Sequence, residues 1–174
     1  MEPNAHVPTD DLVAALRAAG CVYAEDEAAI LLEAAATTAE LRAMTARRVT
    51  GQPLEHIVGW ARFHGMRITV APDVFVPRLR TEFLVRQALV VLTDAGASGV
   101  VLDLCCGSGA VGAALAVEVS GLDIHAADID PAAVACARRN LGPFGGQAHC
   151  GDLFDALPER LKGRLSMITA NAPY

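Results

Sequence analysis

The segment that most constrains the fold is VVLDLCCGSGAVGAAL, residues 100–115. A mostly apolar run of five residues is followed at once by a glycine-rich turn and then by small residues suited to a helix. Glycines in such a turn let the backbone come close to a ligand, and the start of a helix offers free N–H groups. The segment therefore predicts a strand, a ligand-binding loop and a helix in succession.

Strands and helices alternate through the rest of the C-terminal part of the sequence. Alternation of this kind is typical of a parallel sheet with helices packed on its faces, so the fold class is α/β. The predicted strands are 100–104, 124–129, 148–150 and 165–170, and the predicted helices between them are 110–119 and 131–140.

The N-terminal part has a different character. Residues 10–50 read as helices with a break near Thr37, and Gly51 with Pro53 ends the helical region. Two short β-like stretches, 61–64 and 67–70, follow on either side of a glycine turn and predict a hairpin. The predicted organisation is a helical module at 1–52, a β-hairpin linker at 53–78, and an α/β domain at 79–174.

Two ligands fit the glycine loop. Gly107, Gly109 and Gly112 satisfy G-x-G-x-x-G, and Asp128 follows about 20 residues later, where a carboxylate accepts hydrogen bonds from ribose hydroxyls. NAD(P) and S-adenosylmethionine (SAM) both have such a ribose. Asp103 lies inside the first strand, where burial without a partner is costly, so we expect it to face the ligand. Its charge favours SAM, because SAM carries an ammonium group and NAD does not.

The third predicted strand ends in Gly151-Asp152-Leu153. A carboxylate there can accept a hydrogen bond from the exocyclic amine of adenine, while a backbone N–H contacts the adenine ring. The alternative interpretation of Asp152 is an N-cap for a short helix at 153–157.

The fourth predicted strand ends in Asn171-Ala172-Pro173-Tyr174, on the ligand side of the sheet. This ending resembles the (N/D)PPY motif of amino-methyltransferases that modify planar nitrogens. The side-chain oxygen of Asn171 and the carbonyl of Ala172 would accept from both N–H bonds of the target nitrogen and stabilise its developing charge. Tyr174 would pack against the planar group.

The segment TGQPLEHIVGWARFHGMRITVAPDVFVPRLRTEFLV, residues 50–85, makes the resemblance more specific. Together with DLCCGSGAV, AADIDP, GDLF and NAPY it resembles the HemK family of protein-(glutamine-N5) methyltransferases. The resemblance implies a helical substrate-recognition module, a hairpin and a Rossmann-like SAM-dependent methyltransferase core. Known members methylate the glutamine of the GGQ motif in peptide-chain release factors, which implies a protein partner, SAM as cofactor, S-adenosylhomocysteine as product, and no metal.

The resemblance carries over to particular residues. The predicted acceptor-binding residues are Asn171, Ala172, Pro173 and Tyr174. The predicted cofactor-binding residues are Asp103, Cys105, Gly107, Gly109, Asp128, Ile129, Asp152 and Leu153, with Asn171 again. The chain departs from the family pattern where Leu79 and Arg80 replace proline and glutamate beside the cofactor cleft, and where Ala172 replaces proline.

Composition limits the alternatives. With 14 Lys and Arg against 20 Asp and Glu and no basic cluster, the sequence argues against a non-specific nucleic-acid or membrane-surface binder. The alternatives left open are a methyltransferase for exocyclic base amines, an NAD(P)-dependent oxidoreductase, and a chain that folds and binds without turnover. Five cysteines without CxxC spacing indicate reduced thiols in a cytoplasmic protein. Only four of the seven strands usual in this class are predicted, so we expect a fragment, or a second chain that completes the sheet.

Overall fold

The computed structural model describes residues 8–94, 96 and 98–172. Its contacts divide the chain into two compact units, Met1–Gly59 and Trp60–Tyr174. Within the described part of the chain, no helix is both long and apolar enough to cross a membrane.

The first unit is helical, as predicted. Its helices bury an apolar core that includes Leu16, Leu31 and Ile57. The predicted break near Thr37 is confirmed, because the Thr37 hydroxyl accepts a hydrogen bond from the Glu40 N–H (3.1 Å) and caps a new helix. The helices are α1 (Thr9–Ala18), α2 (Ala24–Ala34), α3 (Thr38–Val49) and α4 (Leu54–Val58).

The boundary between the two units falls later than the predicted one. We expected the linker to begin at residue 53, whereas the structure divides after Gly59. The physical reason is α4, which places Ile57 in the core of the first unit. The hairpin itself lies where the turn at Gly65 predicts it, with strands β1 (Trp60–Phe63) and β2 (Met66–Thr69) paired antiparallel.

The second unit contains the predicted parallel sheet. Strands β3 (Val100–Leu104), β4 (Asp123–Asp128), β5 (Gln147–Cys150) and β6 (Leu165–Ala170) run in the order β5-β4-β3-β6. All three neighbouring pairs are parallel, so the carboxyl ends of the four strands lie along one edge.

One face of this sheet is covered by three helices: α5 (Glu82–Asp94), α6 (Ala110–Glu118) and α7 (Pro131–Leu141). Their apolar residues form one core with Val101 and Ile124 of the sheet and with Phe63 of the hairpin. A smaller apolar cluster around Leu102 and Leu104 lies on the opposite face. Because Val101 belongs to the helical face and Leu102 to the other, Asp103 faces the helices.

Candidate functional site

The loop between β3 and α6 is the centre of the candidate site. Gly107 (φ +53°) and Gly109 (φ +74°) both adopt left-handed backbone conformations, which favour glycine. A Cβ on Gly109 would lie 2.9 Å from the Cβ of Ala137 on α7, whereas one on Gly107 would meet no atom within 4 Å. Gly109 therefore serves the close packing of the two helices, and Gly107 leaves room for a ligand beside the backbone.

Asp103 lies beneath this loop and is almost fully buried. One carboxylate oxygen accepts a hydrogen bond from the N–H of Gly112 (3.0 Å), and the other accepts from the hydroxyl of Thr169 (3.1 Å). Burial raises the pKa of Asp103 to about 7, against the opposing effect of these two hydrogen bonds, and the nearby charge of Asp128 adds to the rise. Asp103 borders the cavity, as expected, and it also caps α6, which the sequence pattern did not predict.

Asp128 ends β4 and holds the same loop from the other side. One oxygen accepts from the N–H of Gly107 (2.8 Å), and the other accepts from the N–H of Asp130 (3.0 Å). Asp130 in turn caps α7 by accepting from the Ala132 N–H (2.9 Å). Aspartates on two adjacent strands thus hold consecutive parts of the backbone, Asp128 the glycine loop and Asp103 the first turn of α6.

Cys105 follows Asp103 by two residues and lines the cavity. Its φ is +53°, a conformation that residues with a side chain adopt at a cost. Burial raises the pKa of the Cys105 thiol, and the charges of Asp128, Asp103 and Asp152 raise it further. The thiol therefore stays protonated at neutral pH and is a poor nucleophile.

Asp152 follows β5, and its side chain makes no capping hydrogen bond. In place of the predicted helix at 153–157 the structure has a short 3-10 helix, Leu153–Ala156. The backbone carbonyl of Asp152 accepts a hydrogen bond from the Asp155 N–H (2.9 Å) of this helix. The exposed carboxylate of Asp152 lines the cavity with Leu153 and Ile129. Asp152 therefore stands at the N-cap position of this short helix, as the alternative interpretation has it, but its side chain does not cap the helix.

Asn171 and Ala172 follow β6 and also line the cavity. Pro173 and Tyr174, the other two predicted acceptor-binding residues, lie outside the described residues. Of the predicted cofactor-binding residues, Gly109 is the one that does not line the cavity, because it is occupied with Ala137.

These side chains surround a cavity of about 700 Å³, which is within the range of small-molecule sites. We call the part formed by residues at and after the carboxyl ends of the four parallel strands the strand-end wall. Its members that line the cavity are Asp103, Leu104, Cys105, Cys106, Gly107, Ser108, Ala110, Val111, Ala127, Asp128, Ile129, Gly151, Asp152, Leu153, Asn171 and Ala172.

The opposite part of the cavity comes from the hairpin and the segment after it, and we call it the upstream wall. It consists of Phe63, Phe75, Pro77, Arg78, Arg80 and Thr81. The guanidinium of Arg78 lies over the ring of Phe75, 5.7 Å from its centre. The departure at Leu79-Arg80 predicted a cation at this edge; Arg80 does line the cavity, whereas Leu79 does not. Phe63, Phe75, Pro77, Arg78 and Thr81 were missed as site residues.

Asn140 on α7 is a further residue that sequence analysis missed. Its side-chain oxygen accepts from the Thr69 N–H (2.9 Å), and its amide nitrogen donates to the carbonyls of Thr69 (3.0 Å) and Ser108 (2.8 Å). One buried side chain thus joins the hairpin to the loop of the strand-end wall. A lone asparagine in a helix gives no sequence signal for this role.

Comparison with known proteins adds the following. Residues 79–174 match a family model described as the methyltransferase small domain. The chain is 39% identical over 132 residues to a 4-amino-L-phenylalanine/4-methylamino-L-phenylalanine methyltransferase of Streptomyces pristinaespiralis, covering 74% of this chain and 45% of that protein.

The chain is also similar to release factor glutamine methyltransferases. That of Bordetella pertussis is 37% identical over 135 residues, covering 76% of this chain and 49% of the relative. That of Bifidobacterium longum is 34% identical over 163 residues, covering 86% and 55%. The chain spans about half the length of the curated relatives it matches.

Proposed function

We propose that the chain transfers a methyl group from SAM to a glutamine amide of a protein. The premise is that the chain belongs to the methyltransferase small domain family and, within it, to the HemK family. The observation that carries the proposal is one cavity that brings together Asp103, Asp128, Asp152 and Asn171, each from the end of a different parallel strand.

The strand-end wall has the chemistry needed to hold SAM. Asp128 offers a carboxylate to ribose hydroxyls, Asp152 to the exocyclic amine of adenine, and Asp103 to the ammonium group. The open backbone at Gly107 supports close approach of the ligand. The cavity volume fits a nucleoside with an amino-acid tail. When bound, SAM supplies an electrophilic methyl group on a sulfonium, so no metal is required.

Asn171 and Ala172 would hold the acceptor. An amide nitrogen is a poor nucleophile, because its lone pair is delocalised into the carbonyl. Two acceptors directed at its two N–H bonds would orient the nitrogen and stabilise the positive charge that grows on it during the reaction. We assign these acceptors to the Asn171 side-chain oxygen and the Ala172 carbonyl, with Pro173 and Tyr174 completing the motif.

The acceptor we propose is the GGQ glutamine of a peptide-chain release factor, the substrate class named for the relatives in Bordetella pertussis and Bifidobacterium longum. The helical unit is our candidate for its recognition. We also propose a cytoplasmic location for this chain, which the free thiols of its five cysteines support.

The test is transfer of a labelled methyl group from SAM to a release factor, with this chain and with any longer form of it. We expect label on the GGQ glutamine and none on a release factor whose GGQ glutamine is replaced by alanine. Label that remains after this replacement, or transfer only to nucleic acid, would contradict the proposed acceptor.

A second acceptor class has an observation in its favour. The relative in Streptomyces pristinaespiralis is named for the aryl amine of a free amino acid. Such an amine is also a planar nitrogen. The guanidinium of Arg78 over the Phe75 ring, with Arg80 lining the same cavity, suits a ligand with a carboxylate and an aromatic ring. Parallel assays with 4-amino-L-phenylalanine and with a release factor distinguish the two, since the better acceptor shows the higher kcat/KM.

A further inference from the structure

Thr169 and Asp103 are direct partners in the parallel pairing of β6 with β3. Both side chains are almost fully buried, with 3% and 2% of their surface exposed. The Thr169 hydroxyl donates a hydrogen bond to one oxygen of the Asp103 carboxylate (3.1 Å). Thr169 lies two residues before Asn171, so this bond joins the strand that leads into Asn171 to a carboxylate of the strand-end wall.

The second oxygen of Asp103 accepts from the N–H of Gly112, the third residue of α6. An N–H in the first turn of a helix has no partner within the helix, and Gly109, which precedes α6, has no side chain to supply one. The Asp103 carboxylate is therefore held by one donor from α6 and one from β6. Losing either donor would free it to rotate away from the cavity that it borders.

Among the described residues, few charged groups lie near Asp103. Asp128, at the end of β4, is the charged group that acts on it. The thiols of Cys105 and Cys106 follow it on the loop, and their pKa values are raised by burial, so both are neutral. Within its described residues β6 has no titratable side chain, and α6 has one only at Glu118, its last residue.

We propose that Thr169 is a positioning residue for the cofactor: its hydroxyl keeps the Asp103 carboxylate directed at the cavity, where it pairs with the ammonium group of the amino-acid end of SAM. The inference rests on the proposed function, because it takes SAM as the ligand. It adds a residue to which the sequence motifs assign no role. Thr169 acts through Asp103 and does not itself contact the ligand.

The pairing requires an ionised Asp103. The pKa of this carboxyl is about 7 in the free protein, because burial disfavours the charge. Binding of an ammonium group at lower pH therefore releases the Asp103 proton to solvent, and cofactor affinity rises with pH through this range. The hydrogen bond from Thr169 favours the ionised form, so its removal moves this dependence to higher pH.

The first experiment needs no cofactor. The Asp103 carboxyl is titrated by ¹³C NMR in the wild type and in Thr169→Val, a nearly isosteric change, with Thr169→Ser as the control that keeps the hydroxyl. The signal is assigned by its loss in Asp103→Asn. We expect a higher midpoint in Thr169→Val and a midpoint near that of the wild type in Thr169→Ser. Equal midpoints in all three proteins would overturn the proposal.

The second experiment separates positioning from general damage. S-adenosylhomocysteine carries the ammonium group, whereas 5′-methylthioadenosine has the nucleoside without it. If loss of the hydroxyl raises the pKa of Asp103 by about one, S-adenosylhomocysteine binds Thr169→Val about fivefold more weakly at pH 7 and almost normally at pH 9. Binding of 5′-methylthioadenosine should change at neither pH.

Equal weakening of both ligands at both pH values would mean that Thr169 has only a structural role, and the proposal would fall. Failure of the wild type to bind S-adenosylhomocysteine would instead overturn the proposed function together with this inference. The two failures are therefore distinguishable by the wild-type titration alone.

Discussion

The two walls of the cavity are built in different ways. The strand-end wall takes its polar side chains from the ends of neighbouring parallel strands. Hydrogen bonds hold Asp128 to the glycine loop and Asp103 to the first turn of α6 and to Thr169. The upstream wall comes from the hairpin and the segment after it, and Phe75, Arg78 and Arg80 are exposed there. The first wall presents hydrogen-bonded carboxylates, while the second offers guanidinium groups and an aromatic ring.

This difference suggests a division of labour. A parallel sheet places the side chains at its strand ends along one edge, which suits the binding of a cofactor. Acceptors differ among the relatives, which are named for a protein glutamine and for a free amino acid. We infer that the strand-end wall holds the cofactor and that the upstream wall adjusts the choice of acceptor.

The largest effect should follow from Asn171→Ala. Removing an acceptor that stabilises charge in the transition state costs roughly 10²- to 10³-fold in kcat. We expect methyl transfer to fall by that factor while the affinity for S-adenosylhomocysteine changes by less than about tenfold, as measured by calorimetry. A comparable loss in both quantities would mean that Asn171 serves the cofactor more than the acceptor.

The two glycines of the loop should differ in stability. Gly109→Ala places a Cβ at 2.9 Å from Ala137 in a left-handed conformation and should lower the free energy of unfolding by about 2–4 kcal/mol. Gly107→Ala has the strained conformation without the clash and should cost about 1 kcal/mol. Urea denaturation of both variants checks this order, which equal losses would refute.

Asp128→Asn tests the strand-end wall directly. An amide cannot accept from both the Gly107 and the Asp130 N–H groups and also from a ribose hydroxyl, so we expect affinity for S-adenosylhomocysteine to fall about tenfold or more. Asp155→Asn is the matched control, because Asp155 is exposed and does not line the cavity. If the control lost as much affinity, net charge rather than Asp128 would explain the effect.

The smallest effect on cofactor binding should come from Arg80→Gln. Exposed charges are screened by solvent and salt, so we expect the affinity for S-adenosylhomocysteine to stay within about threefold. The ratio of kcat/KM between a release factor and 4-amino-L-phenylalanine should change more than that. A large loss of cofactor affinity would remove the distinction between the two walls.

The sequence predicted the strand-end wall well because its residues obey local rules. A polar residue at the end of an apolar run in an alternating α/β pattern must lie at the carboxyl edge of the sheet, which locates Asp103, Asp128, Asp152 and Asn171. The HemK resemblance read from NAPY and residues 50–85 agrees with the relatives found by comparison.

The upstream wall could not be predicted in the same way. Phe63 reaches the cavity through tertiary packing of the hairpin, which hydrogen bonds from Asn140 join to α7, and Phe75 lies on the segment after the hairpin. Neither position follows from a periodic pattern. The contacts divide the chain after Gly59 rather than at the predicted residue 53, and α4, with five residues, is too short to show helical periodicity. The hydrogen bond between Thr169 and Asp103 likewise depends on strand order and register.

The most direct test of the central claim, that the ends of these four strands form a SAM site, is calorimetric titration with S-adenosylhomocysteine, with NADH as the control. We expect saturable binding of S-adenosylhomocysteine that Asp128→Asn weakens, and no binding of NADH. Binding of NADH, or no binding of S-adenosylhomocysteine to a chain shown to be folded by circular dichroism, would contradict the claim.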